Sequence, residues 1–288
     1  IPRRLTRCDF MSRGLGDVYK RQVMMSNVPV LSIFVGTVIL VMASIEVGYR
    51  FGCFAHRRSS DETESPSSVV SQSVLALCAF MLAFTFGIVA NRFETRKQLV
   101  RQESNAIGTA WLRTDFLPEH DRGESREILR EYVAARVELY QSRFAKNDIP
   151  TDFLAAADRS HGRLWEIGVA YAQKNVNSYV AGLYLESLNQ VFDIHALRVA
   201  HGPSTRIPTG IWLALIGLVA LGMTAAGYQT GIAGSKRPKS RPILAVSFAL
   251  VITLIADLDR PGGGFIGVSH QPMINLQSST TEGASTAE

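Results

Sequence analysis

The sequence predicts an all-α polytopic membrane protein, with four transmembrane helices and an extramembrane helical bundle between the second and third. Three observations carry this. Four apolar stretches, Val28–Tyr49, Val69–Ala90, Ile207–Tyr228 and Pro242–Ala256, are each about long enough to cross a ~30 Å hydrocarbon layer at ~1.5 Å per residue. Residues 92–206 are highly charged, whereas the four stretches hold almost no charge. No segment alternates apolar and polar residues with the period of a half-buried strand. Composition agrees, because 47% hydrophobic with 19% charged residues is apolar-rich and charge-poor for a soluble domain.

Residues 1–22 stand apart. Ser12–Gln22 resembles a translated sequencing-adaptor remnant and lacks the apolar core of a signal peptide, so a start at Met24 or Met25 is expected. The rest divides into spans one and two (23–91), a helical domain continuing span two (92–206), spans three and four (207–260) and a tail (261–288).

In span one, Glu46 and Arg50 lie four residues apart on one helical face and can pair. They read as a snorkelling pair that marks the membrane edge, the alternative being an acid lining an ion path. Tyr49 and Phe51 suit an interfacial belt. After the linker Gly52–Ser68, span two has no proline until Pro118. Its helix is therefore predicted to run about 35 Å past the bilayer as a charged stalk that includes Glu94, Lys97, Arg101 and Glu103.

Further helices are predicted at Glu124–Lys146, Asp152–Gln173 and Ser178–Ala200. The first carries Ile128, Tyr132, Ala135 and Leu139 at helical spacing with charges opposite, and Thr151 or Asp152 would cap the second. The last has Val180, Leu183, Tyr184, Leu188, Val191 and Ile194 on its apolar side, and His201-Gly202-Pro203 ends it. Span three is rich in small residues, Gly217, Gly222, Ala225, Ala226 and Gly227, which let helices approach closely. A basic linker, 235–241, leads to span four. Beyond Asp257, Asp259 and the glycines 262–264, Phe265–Leu276 reads as extended and the last dozen residues as disordered.

Basic residues near the spans divide evenly between the two sides. Short loops weigh more, which on charge alone favours cytoplasmic linkers and an extracytoplasmic middle segment. The net charge of +5 is no nucleic-acid signature, because charges in the middle segment nearly cancel. Cys8, Cys53 and Cys78 show no paired spacing, which excludes a disulfide framework and a zinc site. His120, His161, His195 and His201 lack metal-ligand spacing, and Asp193–His195 reads as an inter-helix contact. No phosphate-binding glycine loop or nucleophile–base pattern occurs, so no enzyme activity is expected.

Phe80, Phe84 and Ile88 share one face of span two, and Asn91-Arg92-Phe93-Glu94-Thr95-Arg96-Lys97 follows. This pattern resembles the bestrophin ion-channel family, whose pore-lining second helix carries apolar rings followed by an Arg-Trp pair, an acid and a basic pair. The mostly bacterial bestrophin-like family, a domain of unknown function, is the nearer likeness. Its features are Arg96–Pro118, Leu188–His195, Asp257–Pro261 and Val268–Pro272, and the similarity covers most of residues 28–276. Phe93 stands where bestrophins have Trp.

The resemblance implies a homo-oligomer, as a pentamer, in a bacterial cytoplasmic membrane, with the lipid bilayer and inorganic ions as its partners. It also implies the opposite orientation to the one the loop charges favour, and the two readings stand side by side. Ala76, Phe80, Phe84 and Ile88 would line the pore, and Asn91, Arg92, Glu94, Arg96, Lys97 and Glu103 its mouth and stalk. Phe rings could gate by dewetting and meet anions with their edges. The competing reading has the Phe side chains facing lipid in a non-conducting scaffold or sensor. The family's Ca²⁺ clasp uses acids after the last span, where only Asp257 and Asp259 are available. On a helix these two diverge by about 200°. The plainer expectation is no cofactor, with both acids paired to Arg92 or Arg96 at the membrane edge.

Overall fold

The computed structural model describes residues 29–58, 64–142, 149–201, 206–234, 239–260 and 265–285. The expected start, the 1–22 remnant, Cys8, the glycines 262–264 and parts of both linkers lie outside them. The described residues form helices α1 (Val30–Arg58), α2 (Glu64–Arg113), α3 (Glu119–Ser142), α4 (Thr151–Lys174), α5 (Tyr179–His201), α6 (Thr209–Ile232), α7 (Arg241–Leu258) and α8 (Gln271–Ser285). Four of these, α1, α2, α6 and α7, are long and apolar enough to cross a membrane. Span two and its stalk are one helix, and a 3-10 turn at Thr114–Phe116 closes it before Pro118.

The chain separates into two compact units. The membrane unit lies within Met24–Arg92 and Arg206–Arg260. There α1 packs on α6 and α7. The contact with α6 is backbone against backbone. A Cβ built at Gly48 would fall on the Thr224 carbonyl, one at Gly52 on the Tyr228 carbonyl, and one at Gly227 on the Ile45 carbonyl. Gly231 opposes Gly52 in the same way. Each helix thus carries a small-xxx-small pair, which is how helices approach closely in lipid. Gly217 has open space around it and takes no part, whereas Gly222 receives Leu75 of α2.

The helical unit lies within Phe93–Thr205 and Pro261–Glu288. Its core joins Ile107, Leu129, Val133, Leu164, Leu188 and Val191, all nearly free of solvent. The buried ridge of α3 is rotated from the expected stripe. Ile128 and Ala135 are only half-buried, while Leu129, Val133 and Arg136 are buried. α4 begins after Pro150 without a side-chain cap, so Thr151 and Asp152 lie in its first turn, where the helix dipole favours an acid.

The segment after span four is neither extended throughout nor disordered among its described residues. It forms α8, which packs on α3 and puts Met273 into the core at 1% exposure. Its hydroxyl side chains bond their own helix: Thr280 Oγ1 to the Leu276 carbonyl at 2.9 Å and Thr281 Oγ1 to that of Gln277 at 2.8 Å. Such back-bonding satisfies groups whose polarity otherwise suggests a solvated coil.

Candidate functional site

The apolar part of α2 has two faces. Ser71, Cys78, Leu82, Thr85 and Val89 are buried. At ~100° per residue, Phe80 and Phe84 fall roughly opposite that ridge. They are 64% and 56% exposed, and their rings stack at 6.4 Å between centroids with 14° between planes. Ala76 is also exposed, Ile88 half-buried and Asn91 exposed. Three of the four residues read as pore-lining, Ala76, Phe80 and Phe84, therefore share a face that the membrane unit itself leaves uncovered, with Ile88 at its margin.

Farther along α2, Glu94 is taken up by Lys97 at 3.5 Å and Arg101 at 3.0 Å. Arg92 belongs to the membrane unit and lies 3.8 Å from Asp259. Asp259 follows the last turn of α7 and accepts the Ile207 N–H at 3.1 and 3.4 Å, which ties the start of α6 to the end of α7. Asp257 is 3% exposed. This donor set does not fit a hard cation needing six or more oxygens, because the Asp259 carboxylate already serves a backbone N–H and faces a guanidinium. Among the described residues, no three His, Cys, Asp or Glu side chains group as metal ligands would.

Glu46 bonds Arg50 at 2.9 Å, and its other oxygen meets Arg241 of α7 at 3.2 Å. Arg241 also lies over the Tyr49 ring, 4.7 Å from its centroid. The sequence showed the i, i+4 pair but not this third member, which lies almost two hundred residues away along the chain.

Glu103 differs from the stalk-mouth residues it was grouped with. It is wholly buried in the helical unit. Its Oε1 accepts from Arg136 Nη2 at 2.7 Å and from the Tyr132 hydroxyl at 2.7 Å, and its Oε2 accepts from Arg198. Tyr132 Oη accepts from Arg136 Nε at 3.2 Å. His195 Nδ1 lies 2.8 Å from Arg136 Nη2, so the neutral ring accepts a hydrogen bond from the guanidinium N–H there. His161 stands 4.8 Å from His195 in an edge-on arrangement.

Burial alone would raise the Glu103 pKa, but Arg136 and Arg198 more than offset it and hold the carboxyl far below its usual range. Burial lowers His161 to about 4, and Arg136 adds to the effect. Burial, Arg136 and His161 together lower His195 to about 2. Both rings are therefore neutral at physiological pH. Asp193, read together with His195, is exposed and belongs to the opposite face.

This cluster was legible in part. Leu99, Glu103, Ala106 and Ala110 form one buried stripe of α2, and Tyr184, Leu188, Val191 and His195 form one of α5. A charge within an apolar stripe signals a buried partner, but the partner's identity is not in the pattern.

Comparison with known proteins follows the same outline. The profile of the Bestrophin-like domain matches residues 31–273. No curated protein sequence matches significantly. Among solved structures, a bacterial bestrophin homologue from Klebsiella pneumoniae aligns with a TM-score of 0.61 at 16% identity, covering 88% of this chain and 98% of that one. Single-substitution variants of that homologue align as well, two of them also with TM-scores of 0.61 at 16% identity. At that identity the likeness speaks for the fold, four membrane helices with a helical bundle between the second and third. The profile spans both units, from the first turn of α1 into α8, and the chain belongs to the Bestrophin-like domain family.

Proposed function

We propose that this protein is the subunit of an oligomeric membrane ion channel, with the apolar part of α2 lining the pore. The observation that carries the reading is the uncovered face of Phe80 and Phe84, opposite the ridge that packs in the membrane unit. An apolar face that its own unit leaves free meets lipid, a second copy or a central axis, and family membership supports the last of these. Rings of Phe around an axis would narrow the path and gate it by dewetting. Their positive edges favour anions over cations, as do the basic residues that follow on α2. The bestrophin likeness supports a pentamer, seated in a bacterial cytoplasmic membrane.

The test is ion flux through the purified full chain in liposomes, for anions and cations separately, beside the variant F80A/F84A. Flux that changes rate or selectivity in the variant supports α2 as the pore. Flux identical in both removes α2 from that role. Folded, monodisperse protein that carries neither ion transfers the argument to a non-conducting scaffold or sensor.

A further inference from the structure

We propose that the helical unit holds a binding site for a small oxyanion, in a cavity of about 60 Å³ walled by Arg96, Arg136, Arg198 and His270. The proposal is independent of conduction.

Charge is the first argument. Three guanidiniums reach this cavity, and no Asp or Glu is among its described lining residues. The neighbouring acid, Glu103, is sealed behind Arg136 and Arg198 and neutralises one of them at most. Three basic side chains therefore line one cavity whose described lining holds no carboxylate.

Preorganisation is the second. Arg198 is held at two points, by Glu103 and by His270 Nε2 at 3.1 Å. His270 is itself oriented, because its Nδ1–H donates to the Val268 carbonyl at 2.9 Å and its ring stacks on Tyr140 at 4.0 Å. Arg136 is 4% exposed at its side chain and uses Nε and Nη2 within the cluster, leaving Nη1 in none of those bonds. Guanidiniums fixed in advance lose little freedom on binding.

Shape is the third. A single water needs roughly 10–15 Å³ on the same measure, so the cavity takes about five non-hydrogen atoms. N–H groups supplied by separate guanidiniums, Arg136 Nη1 among them, match several oxygens on one centre better than a spherical halide. Leu139 and Val268 make part of the wall apolar. A short carboxylate or a phosphate fits that size and that donor pattern.

The experiment is calorimetric titration of the full-length protein in detergent with sodium acetate, with sodium phosphate and with sodium chloride as the control. Two variants accompany it: R96Q, which removes a half-buried guanidinium outside the Glu103 cluster, and V268W, which fills the space. Expected is saturable binding of acetate or phosphate in chloride buffer, weakened about 10-fold or more in R96Q and lost in V268W. Acetate alone would identify a carboxylate site and phosphate alone a phosphate site. No saturable heat with either oxyanion overturns the proposal. So does equal affinity in both variants, once their melting curves show folded protein.

Discussion

Arg136 and Glu103 meet at 2.7 Å with side chains 4% and 0% exposed, so this ion pair is held by protein groups alone. Arg198 reaches the same carboxylate from α5. One carboxylate therefore closes α2, α3 and α5 around a shared charge. Glu103→Gln keeps the shape but leaves two buried guanidiniums without a counter-charge, and it is expected to cost roughly 3–5 kcal/mol. Thermal unfolding of the purified protein reads this directly. A melting temperature equal to that of the parent would show that the cluster does not hold the unit together.

The buried histidines set a pH dependence. His161 and His195 are neutral when folded, because burial lowers their pKa values, whereas in the unfolded chain they take up protons near the ordinary histidine value. The unfolded state thus binds protons first, and stability is complete above about pH 6.5 and declines as pH falls toward 4. For His161 alone the decline across that window is about 3 kcal/mol. Below it, protonation of Glu103 acts in the same direction. His161 Nε2 has no hydrogen-bond partner among the described residues, and Phe192 lies 4.4 Å away. His161→Phe is therefore expected to be tolerated and to flatten the pH profile of the melting temperature between pH 7 and 5. A profile as steep as the parent's would assign the acid sensitivity elsewhere.

The membrane unit offers a sharper contrast. Gly227→Leu places a side chain on the Ile45 carbonyl, whereas Gly217→Leu enters open space. The first should abolish monodisperse protein in gel filtration and the second should leave it intact. If both elute alike, the backbone contact between α1 and α6 is not what orders the unit.

Asp259→Ala removes both the acceptor for the Ile207 N–H and the carboxylate near Arg92. A loss of about 1–3 kcal/mol is expected, and Asp259→Asn, which keeps one acceptor oxygen, should lose less. An Asn variant as unstable as the Ala variant would mean that the charge, rather than the N–H contact, matters at this position.

The spans and their order were readable because a bilayer demands long apolar helices, and such runs survive in any linear listing of residues. The end of α2 was readable from Pro118, and the glycine-rich face of α6 from its composition. The Glu103 cluster was readable only as an acid within an apolar stripe, without its partners. Its members are separated by up to 95 residues, and the stripe through Tyr132 and Leu139 placed the α3 charges on the opposite face, whereas Arg136 falls on the buried ridge with them. A long polar side chain at a core position looks the same in sequence as one at the surface until its partner is known. α8 was missed for the opposite reason. Its Ser and Thr residues suggest solvation, and only the fold shows them bonding their own backbone.

The glycine seam between α1 and α6 has a mechanical meaning. Ordinary helix interfaces adjust by letting side chains change rotamer, and at Gly48, Gly52, Gly227 and Gly231 there is no side chain to turn. With carbonyls seated over bare Cα positions on both helices, sliding along the seam would drive one backbone into the other. The two helices form a single stiff strut. Any movement that opens or closes the membrane unit has to be taken up elsewhere, at the softer contacts that α2 makes through the Ser71 hydroxyl and the Leu75 side chain.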